Sequence, residues 1–364
     1  MLLVANSPPF PHFPQCRPDG SVAEKPTASV STNAYSFCRF AAAMRDESDA
    51  GGADAPADAP PAAAPASAPL VALPSEDACG IELWDLHSGK VAGRARAPPP
   101  VAPPAVKAGL LGALCLSPDG RLLLSGHEDG GVRLWDGRAL GRGPLASTAA
   151  PLLLPSCRGG DAGGSPTGDH PILSLACDPQ FRRGAAGFAG PSVALFRASA
   201  AAGTVSAAPA PAPAAPGDGP HKEKDAAASA SAPASAPAPL LLRVASPDAP
   251  SSACGASSLR LRCGDGGSGG GSGGGALRLL ACAGWDGRVR LWAFPSGQPL
   301  ASLRFHKGAA TDVAFAPAGA GGDFGGGGGG GTTAVASCGR DGRIAVWHLW
   351  PQKGGGGATP RAAA

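Results

Sequence analysis

The feature that most constrains this chain is a hairpin written twice. LLACAGWDGRVRLW (Leu279–Trp292) and AVASCGRDGRIAVW (Ala334–Trp347) share one plan. A short apolar strand leads into a turn carrying Asp-Gly-Arg, and a second strand with alternating residues ends on Trp. The copies lie 55 residues apart, which marks an internal repeat. A single hairpin cannot bury its own apolar face, so repeats of this kind must stack on one another.

The spacing within each copy adds a polar requirement. Trp347 follows Ser337 by ten residues and Asp341 by six, so all three can meet at one buried corner of the hairpin. A buried Asp is tolerated only when donors satisfy it, and His306, in RFHKGAATDVAF, begins the strand expected alongside. Ser125, Asp129 and Trp135 repeat these offsets in an upstream copy, with no His before them. In the copy ending at Trp292, Asp286 remains and Cys282 replaces the hydroxyl.

This constellation resembles the polar tetrad of the WD-repeat β-propeller family. The resemblance implies an all-β WD-repeat β-propeller. Five blades are recognisable: the first around IELWDL (Ile81–Leu86), the second from Leu110 to Ser147, and a weaker third from His170 to the VALFRA ending with Phe196 in place of Trp. The fourth and fifth hold the two hairpins. In the first, Pro74 and Ala78 stand where a hydroxyl and Asp are expected. The family has seven blades, so an incomplete or unusually closed ring is expected, with no fourth strand for the fifth blade after Trp350-Pro351.

Composition bears on what lies between the blades. With Gly 56 and Pro 40, long Ala/Pro and Gly/Ser tracts cannot bury enough surface to order themselves. The expected map is an irregular leader over 1–33, then blades one to three over 34–199 with a disordered insertion at 46–69, and a disordered linker over 200–239. Blades four and five follow over 240–351, interrupted by Gly-rich insertions at 264–275 and 319–331, and a disordered tail covers 352–364. Ala34–Ala43 reads as the first strand of blade one across its insertion.

Catalytic readings find little support. Ser337 and His306 look like a nucleophile and base, but their repeat offsets make them core polar residues. The Gly runs lack a following Lys-Ser/Thr, so they are not phosphate loops. Ten cysteines without CxxC pairs fit small hydrophobes in a reducing intracellular compartment; nucleus or cytoplasm is what the family resemblance implies. No metal, cofactor or small-molecule ligand is expected. A net charge of +3 without a basic stripe gives no direct nucleic-acid partner, and no apolar run is long enough to span a bilayer.

Other proteins are the expected partners. Trp285, Arg340 and Glu128 occupy matching turn positions and are candidate binding residues. LLSGHEDGGVRLWDGR (Leu123–Arg138) resembles the sixteen-residue box of WD-repeat substrate receptors for cullin-RING ubiquitin ligases, with Asp136 and Arg138 as adaptor contacts and His127 departing from the usual small residue. Residues 283–315 and 339–351 are similar to one subgroup of the family. That subgroup implies a non-catalytic scaffold in an ASTRA-like assembly that matures phosphatidylinositol-3-kinase-related kinases with co-chaperones, or in a chromatin-associated complex. A Gβ-like signalling adaptor is the other alternative.

Overall fold

The computed structural model describes residues 4–5, 11–16, 22–29, 38–43, 69–97, 109–148, 152, 171–208, 241–244, 255–262, 278–316 and 333–349. A small antiparallel sheet comes first: β1 (Val4–Ala5), β2 (Pro11–Cys16) and β3 (Val22–Ser29). This corrects the expectation of an irregular leader. Pro14 and Pro26 are tolerated because they face each other where the register slips, and a residue without N–H does least harm at such an irregularity.

Five antiparallel meanders follow. Blade one is β4 (Ala41–Ala43), β5 (Leu70–Pro74), β6 (Gly80–Asp85) and β7 (Lys90–Arg96). Blade two is β8 (Leu111–Leu116), β9 (Leu122–His127), β10 (Val132–Asp136) and β11 (Ala146–Thr148). Blade three is β12 (Ile172–Cys177), β13 (Arg183–Phe188), β14 (Ser192–Ser199) and β15 (Thr204–Ala207), with β16 (Leu241–Arg243) also paired to β14. Blade four is β17 (Ala256–Arg262), β18 (Leu279–Gly284), β19 (Arg288–Ala293) and β20 (Pro299–Arg304). Blade five has three strands among the described residues: β21 (Ala310–Phe315), β22 (Thr333–Gly339) and β23 (Ile344–Leu349).

Three boundaries differ from the sequence reading. The strand expected over Ala34–Ala43 pairs only over Ala41–Ala43, and 34–37 lie outside the described residues. The linker expected from 200 instead supplies β15. Gly203, at φ 64, closes the preceding turn, and Val205 is buried in the core, which offsets the cost of ordering this strand. Leu241–Arg243, assigned to blade four, belongs to blade three because Leu242 and Val244 fill the core between the two. Most of the insertion at 46–69, both Gly-rich insertions, Trp350-Pro351 and the tail lie outside the described residues.

Each joint between consecutive blades has its own apolar core. Leu83, Leu111, Leu123 and Trp135 join blades one and two. Between two and three, Leu134, Ile172, Phe188 and Phe196 pack inside a sheet that runs unbroken across both blades, because β11 pairs in parallel with β15. Leu195, Leu259, Leu280 and Trp292 fill the next joint, and Ala281, Leu291, Val313 and Val335 the last. Between blades five and one the link is polar. Arg39, just before β4, donates to the Thr311 carbonyl at 2.6 Å and pairs with Asp312 at 3.0 Å.

These contacts also orient the first strands. Gly112 lies against the Ile172 carbonyl, Ser174 Oγ donates to the Ala256 carbonyl at 3.0 Å, and Ser257 Oγ donates to the Ala310 carbonyl. Beginnings therefore meet beginnings. All first strands run the same way, and in an antiparallel meander this puts the turns between second and third strands at the end where the first strands begin. The first strands finish at the opposite end.

Candidate functional site

Blade five assembles a four-residue polar corner. His306 Nδ1 lies 3.1 Å from Asp341 Oδ1 and its Nε2 lies 3.0 Å from Ser337 Oγ, to which Trp347 Nε1 donates at 3.2 Å. His306 sits in the loop before β21 rather than in a strand, and Phe305 sets its ring edge-on against both His306 and Trp347. Asp341 also accepts the backbone N–H groups of Lys307 and Arg343. Burial pushes its carboxyl up, but these N–H groups and His306 outweigh that and hold it below the ordinary carboxylate range.

The Asp–His–Ser order is that of a nucleophilic triad, yet the setting is wrong for one. The Ser337 residue is 2% exposed and the His306 side chain 1% exposed, so no substrate reaches the hydroxyl. One lone pair of that hydroxyl already receives the indole N–H. The corner locks a hairpin.

Blades two and four meet the same requirement in another way. Arg133 reaches Asp129 at 2.8 Å and Arg290 grips Asp286 at 2.5 and 3.0 Å, each Arg four residues after its Asp. Blade five has Ala345 at that position, and His306 serves instead. Neither Arg was singled out from the sequence, although the Asp-x-x-x-Arg spacing was there to be read. In blade two the hydroxyl is also served locally. Trp135 Nε1 donates to Ser125 Oγ at 2.8 Å, and His127 Nε2 lies 2.9 Å from the same oxygen. The corner without a preceding His thus takes one from its own second strand. Desolvation, aided by the nearby Arg133 charge, pushes His127 down to about 3, so it is neutral. In blade four Cys282 occupies the hydroxyl position, and burial raises its thiol to about 12.

The residues expected to bind partners lie apart from these corners. Trp285 is 39% exposed, with its ring on Gly255, where a Cβ would fall 2.6 Å from the indole. Arg340 is exposed at the matching turn of blade five. Glu128, also exposed, is engaged locally, accepting the Leu110 N–H at 3.1 Å. Asp136 accepts the Arg138 N–H at 2.9 Å, and both line a cleft of about 440 Å³ with Asp119, Arg121, Leu145 and Gln180.

Two stretches, 108–136 and 297–348, match the family described as WD domain, G-beta repeat. The chain is similar to guanine nucleotide-binding protein subunit beta-like protein 1 of Mus musculus, 35% identical over 74 residues, 20% of this chain and 18% of that protein. It is also similar to ASTRA-associated protein 1 of Schizosaccharomyces pombe, 32% identical over 73 residues, 20% of this chain and 16% of that protein. The matches thus span under a fifth of the length of either curated relative.

Proposed function

The chain belongs to the WD-repeat family, and from that premise we propose that it is a non-catalytic intracellular scaffold that brings other proteins into one assembly. The observation that carries this reading is the closure of the polar corners. The side chains that resemble a catalytic set, Ser337, His306 and Asp341, are consumed in a buried hairpin lock. The short turns 75–79, 128–131, 189–191, 285–287 and 340–343 instead gather at one end, where Glu76, Asp77, Glu128, Trp285, Arg340 and Arg343 are exposed. Such a group of turns offers a broad contact surface of the kind in which exposed Trp and Arg serve as anchors, here Trp285 and Arg340.

The name of one relative, ASTRA-associated protein 1, supports a finer reading in which the assembly is ASTRA-like; service in kinase maturation or on chromatin is what the resemblance to that subgroup implies. Affinity purification of the tagged chain from its native cells tests it. Recovery of kinase-maturation co-chaperones is the expected outcome; their absence alongside other stable partners removes the finer reading and keeps the scaffold. A second reading, a cullin-RING substrate receptor, is favoured by one feature: Asp136 and Arg138 share the cleft beside blade three. Recovery of a cullin adaptor, lost on Arg138→Ala, would establish that reading.

A further inference from the structure

The joint of blades four and five carries a charge that the repeat does not need. Residues 284–308 and 339–343 hold six cationic side chains and two carboxylates, an excess of positive charge larger than the net +3 of the whole chain. Both carboxylates are engaged, Asp286 by Arg290 and Asp341 by His306 and two backbone N–H groups. Arg304, Lys307, Arg340 and Arg343 are exposed, and none has a carboxylate in ion-pair range among the described residues.

The backbone brings these cations together. Arg288 and Arg304 are direct cross-strand partners. Lys307 and Arg343 place their N–H groups on the one Asp341 carboxylate, while the Arg340 N–H donates to the Ala309 carbonyl. A Cβ on Gly287, next to Arg288, would lie 2.6 Å from the His306 carbonyl, so the two turns abut. Like charges directly opposite on a sheet are destabilising. Blade two shows that the repeat does without them, having Glu128 where blade five has Arg340 and Gly131 where blade four has Arg288. At one end of the patch stands the partly exposed indole of Trp285.

We propose that this joint docks an acidic peptide segment of a partner protein, its carboxylates on Arg304, Lys307 and Arg340 and an apolar side chain against Trp285. The proposal rests on the scaffold reading and names the chemistry of one partner. Charge complementarity of this kind governs the rate and specificity of association and weakens with salt.

The test is fluorescence anisotropy on the purified full chain with a short labelled peptide of Glu and Ser around one Leu. Saturable binding is expected, weakened at least about tenfold by the double change Arg304→Glu with Arg340→Glu, less by the neutral pair Arg304→Gln with Arg340→Gln, and also by Trp285→Ala. The charge-matched pair Arg182→Glu with Arg197→Glu, toward the opposite end of blade three, is expected to bind as wild type. Thermal melts establish that each variant is folded. Equal weakening by both charge-reversed pairs, absence of binding, or displacement by a single-stranded oligonucleotide at lower concentration than by unlabelled peptide would each overturn the proposal. Affinity purification separates the two claims: partners lost only from the Arg304/Arg340 variant support the docking site, and partners kept by that variant and wild type alike overturn it while leaving the scaffold standing. A wild-type chain that captures nothing defeats the scaffold reading, and the proposal with it.

Discussion

His127 is held neutral in the core of blade two, where its Nδ1 has no hydrogen-bond partner among the described residues. Its folded value of about 3 lies below the 6.5 of an unburied imidazole. Between those values the unfolded chain takes up a proton that the folded chain refuses. The contribution to stability is therefore whole above about pH 6.5 and declines as pH falls toward 3, by up to about 1.4 kcal/mol per pH unit. Urea midpoints of wild type and His127→Leu, measured at pH 7 and pH 5, should differ in their pH dependence by this sign, with the variant flatter. Equal slopes would place the imidazole in a wetter site. The Trp positions show what spacing leaves open at this scale. Trp135 and Trp347 have identical offsets, yet the first is fully buried and the second only partly. Blade two is packed on both faces, whereas Ile344 and Val346 on one face of blade five are exposed among the described residues.

At the scale of the hairpin, one requirement has two solutions. Asp at the turn is obligatory for the corner, and its side-chain partner comes either from the third strand, as Arg133 and Arg290, or from the loop before the blade, as His306. Asp286 and Arg290 are almost fully buried, so removing Asp286 strands Arg290, while removing Arg290 leaves Asp286 only the longer Arg288 pair at 3.8 Å and the Arg288 N–H. Arg290→Met should destabilise blade four by about 3–5 kcal/mol, and Asp286→Leu combined with Arg290→Met by less, since neither charge is then stranded. Denaturant unfolding of the two single variants and the double variant measures this; a double variant worse than either single would contradict it. The hairpins and their turns were legible because period-two alternation is a local property. β15 and β16 were not. Thr204–Ala207 and Leu241–Arg243 sit in or beside Ala/Pro-rich sequence and are ordered by partners in β14 and β11.

Across the whole molecule, the described contact between blades five and one is made through Arg39, whose partner Asp312 also receives Ser258 and faces Arg260. Arg39 and Asp312 are both more than a third exposed, and such a pair contributes no more than about 1 kcal/mol. Arg39→Ala should barely move the unfolding midpoint, while amide exchange in β4 and β21 quickens relative to β9 and β13. Unchanged exchange in those strands would mean that other contacts hold the joint. The sequence by itself determined the repeat and the strand-turn-strand unit, because these follow from residue type and spacing along a few neighbouring positions. Only the tertiary structure decided which side chain meets each carboxylate, how blades two and three merge into one sheet, and that the cations of blades four and five converge at one joint. Each of these depends on groups far apart in the chain being brought within a few ångströms, and spacing along the chain carries no record of that approach.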